Sequence, residues 1–225
     1  MTPSTPATAP APAATARRQA TRARLLDAAF AVYAEQGVHA STVEQIAERA
    51  GFTRGAFYSN FTTKEELFVA LMEREDAARL AALETKFAAL RPRLEASEGR
   101  LDADAIADIV LSFFVGPFDD HSWHLISTEF QLLALRDPAF AQRYLRHRDG
   151  YDAALSPMLE RTLRQSGRVC TTDPMVAVRL LAAVYDDAVR SAALTGTTTY
   201  DPALVRDTIV RVVLALTRRI TAADR

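Results

Sequence analysis

The chain has 225 residues, 49% hydrophobic and 24% charged, with a formal net charge of -1. That length can bury a sizeable core as one large domain or two small ones, and the balance excludes both a polycation and a disordered chain. The charge is uneven, however: residues 1–64 carry seven basic side chains against four acidic ones, a front of +3 on a remainder of -4. A basic front on an acidic body suits a protein whose N-terminal end meets a polyanion. Cys170 is the only cysteine, too few for an internal disulfide or a cysteine-based zinc site. No run of 18 apolar residues spans a membrane and no secretory signal opens the chain, so a cytoplasmic location without a membrane partner is expected.

In chain order, residues 1–16 are almost wholly Thr, Pro, Ala and Ser with four prolines and no charged side chain, which reads as a disordered tail. From Arg17 onward the periodicity is helical nearly everywhere, and no stretch shows strand alternation. Leu25, Leu26, Ala29, Val32 and Tyr33 mark a first helix that Gly37 stops. Ser41 with Glu44 forms a capping box for a short helix ending near Ala50, and Thr53 to about Ser59 is another. Thr62 with Glu65 and Thr63 with Glu66 are overlapping capping boxes for a long helix, which Arg91-Pro92 ends near Leu90. A polar connector over 92–101 leads to helices at about 102–115 and 122–135. Asp137-Pro138, Asp173-Pro174 and Asp201-Pro202 announce three more, since Asp caps and Pro fits the first helical position. Pro157 predicts a kink or break near Ser156.

Residues 42–61 read TVEQIAERAGFTRGAFYSNF. Two helices that cross closely need a small residue, which Ala47 supplies, and a turn tolerant of positive φ, which Gly51 supplies four residues on. Ile46, Ala50, Phe52, Phe57 and Phe61 are placed to pack on Leu25, Ala29 and Val32. Thr53, Arg54, Gly55, Ala56, Tyr58 and Asn60 then remain outward as a small polar and cationic face of major-groove width. Glu44 and Glu48 are expected on the opposite, solvated side.

The segment RLLDAAFAVYAEQGVHASTVEQIAERAGFTRGAFYSNFTTKEELFVALM resembles the DNA-binding region of the tetracycline-repressor (TetR) family in spacing and residue type. The likeness rests on AFxxYxxxG, Thr42, IAxxAGF, FYxxF and KxEL in one register over about residues 20–72; Val32 departs from the aromatic-rich pattern of the first helix. The resemblance implies an all-α fold: a three-helix helix-turn-helix DNA-binding domain at 17–64, and a helical bundle at 65–225 for effector binding and dimerisation. It implies that Arg54 reads a base, with Gly55 and Ala56 letting the helix sit deep. Thr42, Thr53, Tyr58, Asn60 and Lys64 would contact phosphate, and the Arg17/Arg18/Arg22/Arg24 cluster the backbone or minor groove. The implied partners are a double-stranded DNA operator, a small-molecule effector and a second copy of the chain, with no cofactor.

Behind the reader, apolar faces at about 174–194 and 202–221 exceed what one side of a surface helix needs and would form the homodimer interface. Phe113, Phe114, Phe118, Trp123, Phe130, Tyr144 and Tyr151 form an aromatic-rich region of the kind that lines small-molecule sites, though aromatics at helical spacing also fill cores. Asp119, Asp120, His121, His124 and Glu129 admit either a metal site or a helix capped by Asp120; no metal is assigned. Two other readings remain: a helical enzyme, for which no nucleophile–histidine–acid set, glycine-rich phosphate loop or HExxH is present, and a regulator controlled by a protein partner.

Overall fold

A computed structural model describes residues 12–97, 101, 104–106, 108–109, 121–196 and 201–224. The chain divides into two compact units at Met72/Glu73. Among the described residues, no helix is long and apolar enough to cross a membrane.

The first unit is helical throughout. Helix α1 spans Pro12–Gln36, so residues 12–16, expected as tail, are helical; four of these five positions are alanine or threonine that do not break a helix, and Pro12 stands at its first position. Leu25, Leu26, Ala28, Ala29, Val32 and Tyr33 form its buried stripe. Gly37, at φ 80°, ends it by donating to the Tyr33 carbonyl at 2.8 Å. Helix α2 covers Val43–Arg49 and α3 Arg54–Tyr58. The capping box on α2 is Thr42 with Gln45, one residue later than Ser41 with Glu44. Ser41 is buried and donates its hydroxyl to the Gly37 carbonyl, which leaves Thr42 to receive the Gln45 N–H.

Helix α4 runs Lys64–Ala96, with its residues 64–72 in the first unit and the remainder in the second. Thr63 caps it by accepting the Glu66 N–H, while Glu66 in turn takes the Thr62 N–H and hydroxyl at 2.7 Å. The helix does not stop at Arg91-Pro92. Pro92 deprives only the Ala88 carbonyl of its N–H partner, and both residues are exposed, so water serves that carbonyl.

In the second unit, residues 104–106 and 108–109 are helical, and α5 (His121–Arg136), α6 (Pro138–Gln165), α7 (Pro174–Leu194) and α8 (Pro202–Leu216) follow. Each Asp-Pro pair behaves as expected, with Asp137, Asp173 and Asp201 capping and proline in the first turn. Helix α6 passes unbroken through Pro157, because the carbonyl it orphans belongs to exposed Ala153. The core joins Ile106, Leu163, Leu181, Val205, Ile209 and Val213.

Two short strands were not foreseen. Strands β1 (Arg168–Cys170) and β2 (Thr217–Arg219) pair antiparallel, with Arg168 opposite Arg219 and Cys170 opposite Thr217. The last long helix therefore ends at Leu216 and not near 221. Buried Arg168 locks the pairing by donating to the Thr217 hydroxyl at 2.7 Å and carbonyl at 2.9 Å.

Candidate nucleic-acid interface and effector site

The reader is built from the turn outward. Ala47, 1% exposed, lies at the α2 crossing, and Gly51, at φ 72°, makes the turn. Phe52 then donates its N–H to the Ala47 carbonyl at 2.8 Å. Phe57 and Phe61 are fully buried, with ring centroids 5.8 Å apart. Thr53 caps α3 by accepting the Ala56 N–H at 3.2 Å. Five residues make a short helix, and this cap fixes which way its first turn faces.

Thr42, Thr53, Arg54, Gly55 and Tyr58 are exposed and Ala56 is half-buried, so the first turn of α3 and the cap of α2 open to solvent together. The Arg54 guanidinium lies 5.4 Å from the Tyr58 ring and 2.9 Å from Glu44. Glu44 thus shares the Arg54 face, contrary to its expected place on the opposite side. Glu48 is exposed.

Two residues expected on this face are turned inward. Asn60 is buried and donates to the Ala56 carbonyl at 2.8 Å, closing the end of α3. The Lys64 ammonium donates to the carbonyls of Val38 (2.6 Å) and Ser41, tying the start of α4 to the loop before α2.

The arginine cluster is divided in the same way. Arg22 donates to the Asn60 carbonyl and lies 4.1 Å over Phe61. Arg24 donates to the Ala50 carbonyl at 2.7 Å and lies 4.5 Å over Phe52. Both brace the helix-turn-helix, their charges near the helix C-terminal ends where cations are favoured. Arg17 and Arg18 remain exposed on the first turns of α1. Sequence reasoning saw the cluster but had no signal for the bracing, which depends on contacts 26 and 38 residues away.

Within the second unit, a polar and aromatic cluster gathers on α4, α5 and α6. His147 Nε2 lies 2.6 Å from Asp76 Oδ2, both side chains only 16% exposed. Asp76 also stands 3.6 Å from Arg79, whose guanidinium covers the Trp123 ring at 4.5 Å. Trp123 meets Phe130 edge-on at 6.4 Å. The bond to Asp76 raises the His147 pKa against a smaller opposing effect of burial. Burial pushes the Tyr144 and Tyr151 phenols up, and Asp76 adds to both. Of the aromatic residues singled out, Trp123, Tyr144 and Tyr151 are half-buried around these charges, while Phe130 is fully buried beneath Trp123. Phe113, Phe114 and Phe118, with Asp119 and Asp120, lie outside the described residues. Sequence reasoning missed Asp76 and Arg79 on α4 and His147 on α6, which belong to no local motif.

Residues 25–71 match the model of the bacterial regulatory proteins of the tetR family. Over this segment the chain is similar to the DNA-binding region of that family. It is 29% identical to the HTH-type transcriptional repressor AcnR of Corynebacterium diphtheriae over 62% of this chain and 64% of that one, somewhat under two thirds of the relative's length. The repressor of the same name from Corynebacterium efficiens is 29% identical over 79% of this chain and 84% of its own. In fold, a TetR transcription regulator from Haloarcula marismortui superposes with a TM-score of 0.64, covering 89% of this chain and 100% of that one at 18% identity.

Proposed function

We propose that this protein is a sequence-specific DNA-binding repressor that acts as a dimer and leaves its operator when a small molecule binds the second unit. The observation that carries the reading is the exposed first turn of α3, where Arg54 projects from a cap and turn otherwise held rigid by buried residues. A guanidinium so placed forks onto guanine O6 and N7 in the major groove. Thr42, Thr53 and Tyr58 flank it as phosphate partners, and Gly55 and Ala56 keep the helix low enough to enter.

Dimerisation is assigned to α7 and α8. Val176, Leu180, Leu204 and Leu214 stay 43–67% exposed there while other side chains of the same helices fill the core. A two-fold pair of readers spaced about 34–36 Å apart meets two half-sites one turn of B-DNA apart. The effector is assigned to the cluster of Asp76, Arg79, Trp123, Tyr144, His147 and Tyr151, which joins aromatic surface to hydrogen-bonding groups. Because α4 carries both Asp76 and Lys64, displacing the former reaches the reader's anchor at the latter. A coupling of about 1–3 kcal/mol suffices to change operator occupancy severalfold.

Selection from a random duplex pool at near-physiological salt tests the reading. A palindromic site is expected, and Arg54→Ala is expected to abolish its sequence preference. Recovery of the same site by Arg54→Ala would remove Arg54 as the reader, and enrichment of no site by the wild type would sink the repressor reading.

A further inference from the structure

The Glu44–Arg54 pair needs an explanation beyond stability. Glu44 lies in the first turn of α2 and Arg54 opens α3, so the pair crosses between the two helices of the reader. Their side chains are 55% and 63% exposed at a separation of 2.9 Å. An ion pair this open to water adds little to the folded state. The α2 dipole favours an acid in that turn, yet it does not require the carboxylate to be spent on a cation of the next helix. Beside a polyanion the placement is costly, since every carboxylate on a DNA-facing surface opposes phosphate. Another exposed carboxylate pair of this unit, Glu35 with Arg49, is a bidentate contact of α1 with the last turn of α2. Glu44, by contrast, meets the reading helix itself.

We propose that Glu44 is a positioning and specificity residue of the reader. Its carboxylate holds Arg54 Nη1, so the guanidinium presents its remaining N–H edge to a guanine instead of swinging out to the nearest phosphate. Its second oxygen accepts from a base amine on the neighbouring pair, cytosine N4 or adenine N6. The same negative charge weakens binding to DNA that offers no such amine, which sharpens discrimination at the expense of raw affinity. The pair therefore works as one two-headed contact, a fork of donors and an adjacent acceptor.

This inference rests on Arg54 being the base reader, and the test separates the two. Wild type, Glu44→Gln, Glu44→Asp and Arg54→Ala of the full chain are each put through duplex selection. Each is then titrated with its selected site and with an unrelated duplex over a range of salt, with thermal melts to check folding. Glu44→Gln is expected to melt like the wild type, blur the base frequencies at two adjacent positions of each half-site and bind unrelated DNA more tightly. The ratio of specific to non-specific affinity should fall about tenfold, within the range for losing one bidentate contact. The slope of log affinity against log salt should steepen by about one as Arg54 moves to phosphate. Glu44→Asp, which keeps the charge but shortens the reach, should blur the frequencies while leaving non-specific affinity low. Unchanged frequencies and salt slope in Glu44→Gln, with preference lost in Arg54→Ala, would overturn the role of Glu44 alone. Unchanged preference in Arg54→Ala would instead remove the reading on which it rests.

Discussion

The two units spend their charged side chains differently. In the first, Arg22, Arg24 and Lys64 each donate to backbone carbonyls around the helix-turn-helix, beside the exposed side-chain pairs Glu35–Arg49 and Glu44–Arg54. In the second, charges pair with side chains: Asp76 with His147, Arg179 with Asp149 and Asp152, Arg206 with Asp104 and Asp108, and Arg218 with Asp224. A cation on a carbonyl has no titrating partner, so these three braces hold across the range in which a histidine titrates. A histidine–carboxylate pair does titrate and can be displaced by a ligand carrying the same groups. The contrast is one of rigidity against adjustability, and it follows from which atom accepts the hydrogen bond.

The largest effect expected is from Phe57→Ala, which removes a fully buried ring at the centre of the reader. A loss of about 3–5 kcal/mol should give the reader its own early melting transition and leave that of the second unit in place. Both units melting together by calorimetry would break the comparison.

Lys64→Met comes next. It leaves the Val38 and Ser41 carbonyls without their charged donor, at about 1–3 kcal/mol of reader stability. A bracing lysine predicts a lower melting temperature with the salt slope of DNA binding unchanged. A phosphate-binding one predicts a slope shallower by about one and no loss of stability.

The smallest effect is from His147→Gln. Because the folded His147 pKa is raised, its stabilisation is fully present below about pH 6.5, the ordinary histidine value, and is lost as pH rises through the folded value. Partial exposure and solvent screening hold it to about 1 kcal/mol or less. Denaturant titrations of the wild type should show the second unit weakening over that window while the reader stays constant, and the variant should flatten the trend. A pH-dependent reader would contradict the picture.

The reader was legible because its signals are local. Gly37 and Gly51 stop helices where positive φ is needed, and Ala47 and Phe57 sit at fixed distances from them. The cap of α2 was misassigned because Ser41 turns back to Gly37, and the side of Glu44 because its partner Arg54 lies on the next helix. In the second unit the Asp-Pro starts were equally local. Pro92 did not end its helix and Pro157 did not break its own; the carbonyl each orphans belongs to an exposed residue and can turn to water, and exposure is a tertiary property. The charge cluster of the second unit was invisible for a related reason: Asp76 and His147 are 71 residues apart. The strands, at three residues each, are too short to show alternation.

The pairing of β1 with β2 also sets an order of events during synthesis. Arg168 finds its acceptors on Thr217, 49 residues further along the chain. Until that stretch has left the ribosome, a guanidinium destined for burial has nothing to bond and stays hydrated, and the second unit cannot close. The helix-turn-helix lies wholly within the unit that ends at residue 72. At about 5–20 residues per second, the reader has several seconds or more in which to form before its regulator is complete. Nascent chains arrested between those two lengths should therefore carry a folded DNA-binding surface ahead of a second unit that is not yet closed.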